Sequence, residues 1–176
     1  RSVENVVIHF DFSALFAQTK SINSLELDNV TLSGATLDKT LGWMQAAGGM
    51  EKYPVARMEL RRAGLKSTEV KLPLLSGNAE FDDRGKFSRA VLKSEDDKFG
   101  FELQAMQKGF QLELNIHESS LPIFPNIKFS DLSVIGVVDN GEFASNDFFA
   151  HIYGGTITGK GKLFWSNGWK LDGQLN

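Results

Sequence analysis

The chain has 176 residues, a length that favours one domain over two. Hydrophobic residues make up 41% and charged residues 23%, the balance of a folded protein, and a formal net charge of −3 with Lys and Arg spread along the chain argues against a nucleic-acid binder. There are no cysteines, which excludes disulfides and thiolate metal sites, and no apolar run approaches the roughly 18 residues of a membrane helix.

No signal peptide is visible, and the chain starts at Arg1 rather than Met. The closing "WKLDGQLN" reads as a strand in progress. The expectation is one β domain over residues 1–176, an excerpt of a longer protein.

Alternation of apolar and polar residues, the mark of strands buried on one face, dominates from the start. In "VVIHFDF", Val6, Ile8, Phe10 and Phe12 share one face, with Val7, His9 and Asp11 opposite. Next, "LELDNVTLSG" (Leu25–Gly34) has two polar residues between alternating stretches, and "IKFSDLSVIG" (Ile127–Gly136) repeats its spacing. "MELRRAGLK" (Met58–Lys66) is a degenerate third copy. A β-bulge at the polar pair would keep the apolar residues on one face. Period and identity are too loose for a solenoid.

One segment departs from the two-residue period. In "TLDKTLGWMQAAGG", Leu37, Leu41 and Met44 follow helical spacing, Thr36 can cap the start, and Gly48–Gly49 can end it. This predicts an amphipathic helix of about three turns.

The clearest strand pair follows. "FGFELQA" puts Phe99, Phe101, Leu103 and Ala105 on one face, and "FQLELNI" puts Phe110, Leu112, Leu114 and Ile116 on one face. Glu102, Gln104, Gln111, Glu113 and Asn115 take the other side. The link "MQKG" ends in Gly109, as a hairpin loop should. Further turn signals at Asp82–Gly85, Glu95–Lys98, Asp139–Gly141 and Ser166–Gly168 flank "GNAEF", "KFSRAVLKS", "EFASNDFFAHIY" and "KLFW". A turn roughly every dozen residues is the rhythm of an all-β meander.

"YGGTITGKGKLFW" (Tyr153–Trp165) invites a phosphate-binding reading through its G-K-G-K. A P-loop needs G-x-x-x-x-G-K-[ST] before a helix, whereas Lys162 precedes Leu163 and more strand pattern. Read as a strand, Ile157, Gly159, Gly161, Leu163 and Trp165 share one face. Thr156, Thr158, Lys160 and Lys162 share the other.

No catalytic set emerges. His9, His117 and His151 are far apart in sequence, and Ser119–Ser120 lack a G-x-S-x-G context. His9 with Asp11 is a solvated pair sooner than a metal site, which needs more ligands. His117 and Glu118 are adjacent on a strand and point oppositely, so they form no dyad. "EDDK" and "DDRG" lack calcium-loop spacing. Trp165 and Trp169 read as a packed cross-strand pair sooner than a ligand cage. No enzyme, metal or cofactor is expected.

The segment "IYGGTITGKGKLFWSNGWKLDGQLN" (Ile152–Asn176), led in by "IKFSDLSVIGVVDNGEFASNDFFAHI", resembles the closing module of the AsmA-like family of bacterial envelope proteins, which includes TamB-related members. The match is specific over roughly the last fifty residues and looser back to Arg57. The resemblance implies a periplasmic protein of a Gram-negative bacterium, held in the inner membrane by an N-terminal anchor helix that is absent from this sequence. It further implies a long curved sheet whose hydrophobic groove conducts phospholipid for outer-membrane biogenesis, with envelope proteins as further partners and no catalytic residues.

The expected fold is thus all-β: a large, curved, groove-like antiparallel sheet of about ten strands with one short amphipathic helix. Candidate lipid-groove residues are Phe99, Phe101, Leu103, Phe110, Leu112, Leu114, Ile116, Ile157, Leu163 and Trp165. Phospholipid or another acyl-chain ligand is the expected partner, and no nucleic acid. A structural or protein-docking module with a closed apolar face has the same alternation, as does a small-ligand β-barrel. Unpaired sheet edges would separate an open groove from a barrel.

Overall fold

The computed structural model describes residues 4–9, 22–33, 39–42, 44, 54–66, 72–121, 125–165 and 170–176. Twelve strands follow in chain order: β1 (Asn5–His9), β2 (Ile22–Asp28), β3 (Thr31–Ser33), β4 (Val55–Lys66), β5 (Leu75–Phe81), β6 (Phe87–Ser94), β7 (Phe99–Ala105), β8 (Phe110–Ser120), β9 (Lys128–Asp139), β10 (Glu142–Ile152), β11 (Gly155–Phe164) and β12 (Lys170–Leu175). They form one sheet in the order β1-β2-β4-β5-β6-β7-β8-β9-β10-β11-β12, with β3 beside β4. The sheet is not closed into a barrel. The helical segment takes in residues 39–42 and 44. Phe10, Asp11, Phe12, Gly34, Thr36, Leu37, Gly48, Gly49, Ser166, Gly168 and Trp169, named above, lie outside the described residues.

From β4 to β12 each strand turns back on its predecessor, because the connections are short. The "MQKG" loop joins β7 to β8, with the Met106 N–H donating to the Gly109 carbonyl at 3.2 Å. Gly109 has φ 73°, and a Cβ there would meet the Val138 carbonyl at 2.5 Å, so glycine is required. Between β9 and β10 only Asn140 and Gly141 intervene, at φ 49° and 77°. Asn-Gly with two positive φ angles is the type I′ turn that matches strand twist.

The pairing is antiparallel except along β4, where β2 and β3 both run parallel to it. A parallel neighbour needs a crossover of a dozen or more residues, and residues 34–54, helix included, supply it. Leu25 lies opposite Met58 and Leu32 opposite Leu65, a constant offset of 33 residues. These are two of the repeat copies, packed side by side. Equivalent residues Asn29 and Arg62 both adopt left-handed backbone, at φ 51° and 56°.

The polar pairs of the repeat act as expected. Register shifts between Leu60 and Ala63 on β4, and between Asp131 and Phe129 on β9. In the first copy the strand breaks just after Asp28, at Asn29 and Val30 between β2 and β3.

Two buried clusters hold the apolar face. One gathers Leu75, Phe99, Ile116, Phe129, Leu132 and Ala150; the other gathers Ala79, Phe87, Ala90, Phe110, Val138 and Trp165. A flat sheet face open to water cannot bury Phe87, Phe110 and Ile116 to 2% exposure. Burial this deep on one face of an open sheet requires the sheet to curve over that face, and helical residues Leu41 and Met44 pack against the second cluster. The Phe110 ring meets Phe87 edge to face at 5.7 Å.

Candidate functional site: an apolar track across the sheet

Register aligns apolar and small residues into rows that cross the sheet perpendicular to its strands. One row runs Val6, Leu27, Leu60, Gly77, Leu92, Phe101, Leu114, Val134, Phe148 and Gly159, from β1 to β11. Beside it runs Met58, Ala79, Ala90, Leu103, Leu112 and Gly136. Neither row contains a charged side chain. The β10 bulge keeps Phe148 in phase: register with β11 shifts between Ser145 and Phe148, returning the phenylalanine to the apolar side.

The ten candidate residues divide by burial. Phe99 (6% exposed), Phe110 (2%), Ile116 (2%) and Trp165 (9%) belong to the two cores. Phe101, Leu103, Leu112, Leu114, Ile157 and Leu163 are half-buried. The first row is thus half-buried from Leu27 to Phe148, and the second passes through buried Ala79 and Ala90 of the second cluster. Sequence reasoning did not single out Leu92, Val134 and Phe148, which extend the first row. For Phe148 the signal was present but displaced, because the bulge at Ser145–Asn146 breaks the alternation of "EFASNDFFAHI".

Two serines are buried on the apolar side, and both serve the backbone. The Ser94 hydroxyl donates to Asp96 Oδ1 (2.6 Å) and accepts the Phe99 N–H (3.0 Å). Ser145 Oγ lies 2.7 Å from the Ile135 carbonyl and 2.8 Å from the Asp147 carbonyl. The described part of the track thus presents carbon surface and no uncommitted polar group.

The opposite face carries the charges. Arg89 grips Glu102 through two bonds, at 2.7 and 2.8 Å. This bond is the main cause that raises the Arg89 guanidinium and lowers the Glu102 carboxyl from their ordinary pKa values. The glycine-lysine stretch is strand β11, and Lys162 bonds Glu142 at 2.7 Å on the polar side. The P-loop geometry of strand, loop and helix does not form here.

His9 bonds Glu26 (2.8 Å), and His117 bonds Asp131 (2.8 Å) rather than Glu118. Register also sets His151 opposite Asp131, so two histidines flank one aspartate on the polar face. Among the described residues no group of three or more His, Cys, Asp or Glu could hold a metal. No described helix is long and apolar enough to cross a membrane.

A scan against protein-family models finds no match, and no curated protein and no solved structure matches the chain.

Proposed function

We propose that this chain is a non-enzymatic lipid-binding module whose apolar track shelters acyl chains while headgroups stay in water. The observation that carries the reading is the continuous, uncharged row of apolar and small residues, in register from β1 to β11 of an open sheet and half-buried from Leu27 to Phe148. Each CH₂ moved from water onto such a surface gains about 0.8 kcal/mol, so even part of an acyl chain binds measurably. The mechanism is passive: a chain slides along equivalent carbon surface, and no residue acts as acid, base or nucleophile. From the likeness of Ile152–Asn176 to AsmA-like proteins the proposal takes its setting, the periplasmic side of a Gram-negative inner membrane and phospholipid traffic to the outer membrane.

The test is native mass spectrometry of protein purified without detergent, with extraction and identification of any bound phospholipid. A structural or protein-docking module is the second reading. It is favoured by the deep burial of Phe99, Phe110, Ile116 and Trp165, and it predicts no lipid and a face sealed by its own side chains.

A further inference from the structure

The charged face has an apolar island. Ile135, Val137 and Phe149 are 49%, 40% and 41% exposed. Their register partners Glu113, Gln111 and Ser133 mark them as lying on the side opposite the track. They add nothing to either core. Contiguous exposed apolar side chains rimmed by polar ones mark contact surfaces.

Register sets Ile135 between two acids, Glu113 on β8 and Asp147 on β10. Adjacent strands are ~4.8 Å apart, so the acids stand about 10 Å from each other with an exposed isoleucine between them. The β10 bulge creates this arrangement. Ala144 pairs with Val137 and Asp147 with Ile135, so the extra residue sets Asp147 beside Ile135 where an unbroken register would set Asn146. Buried Ser145 holds the bulge closed. Bulges of this kind re-aim side chains next to functional sites.

Among the described residues no cation pairs with either acid. Among the described residues Glu113 accepts only the Asn115 amide at 2.8 Å, and the Asp147 carboxylate has no ion pair, Lys160 across the bulge included. Several other acids of this face do meet a cation: Glu102 meets Arg89, Glu26 meets Arg61 and Glu142 meets Lys162.

We infer that this patch docks a cationic amphipathic segment of a partner protein. Its aliphatic side chains cover Ile135 and Val137, and its lysines or arginines meet Glu113 and Asp147. Charge complementarity of this kind selects the partner and speeds encounter.

The test titrates isotope-labelled protein with a short synthetic peptide alternating lysine and valine, and with its glutamate–valine counterpart, following backbone amides by NMR. The lysine peptide should shift Glu113, Ile135 and Asp147, and its affinity should fall about tenfold in Glu113→Gln/Asp147→Asn and in Ile135→Ser. These side chains are on the surface, so the variants should keep the parent's melting temperature. Four results would overturn the assignment: equal binding of both peptides, shifts confined to other strands, affinity unchanged by the variants, or concentration-dependent self-association abolished by Ile135→Ser. The last would give the patch to a second copy of the chain.

Discussion

Phe148 on β10 lays its ring over Gly159, its register partner on β11. A Cβ at Gly159 would come within 2.8 Å of Phe148 Cε1 and would also press on the Gln174 carbonyl of β12. A ring can rotate, but a carbonyl within a paired strand cannot move without disturbing the ladder. Gly159→Ala should therefore cost about 1–3 kcal/mol. Gly161, two residues on, is the control: a Cβ there would find only the Asp172 carbonyl at 3.2 Å and Gly173 Cα at 3.9 Å. Urea unfolding should show a distinctly smaller loss for Gly161→Ala; equal losses would contradict this account of the β11–β12 floor.

Ser145 is 5% exposed and its hydroxyl serves two carbonyls inside the bulge. Removing it leaves a buried acceptor without its donor, at a cost of about 1–3 kcal/mol. Ser145→Ala should lower stability by that amount and speed hydrogen exchange around residues 144–148. A variant with parental stability would show that the hydroxyl does not hold the bulge.

Asp96 predicts a pH effect. Its Oδ1 accepts the Ser94 hydroxyl at 2.6 Å and the Lys98 N–H at 3.3 Å. The Ser94 bond, and then the Lys98 bond, hold its carboxyl below the ordinary value of 3.8. The folded state thus prefers the ionised form, so this stabilisation is fully present above the ordinary value and disappears as pH falls below it. The melting-temperature advantage of the parent over Asp96→Asn should be largest at neutral pH and should shrink as pH is lowered through 3.8. An advantage constant across that range would contradict the assignment.

The β7–β8 hairpin was legible in the sequence because its alternation is unbroken and its loop ends in glycine. Phe99 pairs with Ile116 and Ala105 with Phe110, as that pattern requires. The parallel β2–β4 pairing was not legible, although both repeat copies were. Alternation says which face a residue takes, but the choice of neighbouring strand depends on a crossover whose path is not local. The division of the candidate site was hidden for a similar reason. Phe110 and Leu112 share one strand face and one pattern, yet Phe110 is 2% exposed and Leu112 half-buried, because curvature and the helix cover only part of the face. The island around Ile135 did leave a trace: in "SVIGVV" the alternation fails, with apolar residues on both faces of β9.

Phe110 and Leu112 also separate core from track by stability. Phe110→Ala should cost about 3–5 kcal/mol, enough to threaten folding against a typical net stability of about 5–15 kcal/mol. Leu112→Glu should cost less than about 2 kcal/mol if water reaches the new carboxylate in an open track, and several kcal/mol if the face is sealed. Thermal unfolding of the two variants beside the parent checks both values.

The claim that the track holds acyl chains is tested most directly by native mass spectrometry of detergent-free parent and Leu112→Glu protein, with lipid extraction from the same samples. The account predicts phospholipid bound to the parent and largely lost from a still-folded Leu112→Glu variant, because a charge now interrupts the carbon surface. A parent free of lipid, together with a Leu112→Glu protein that fails to fold, would contradict it and leave the sheet as a structural module.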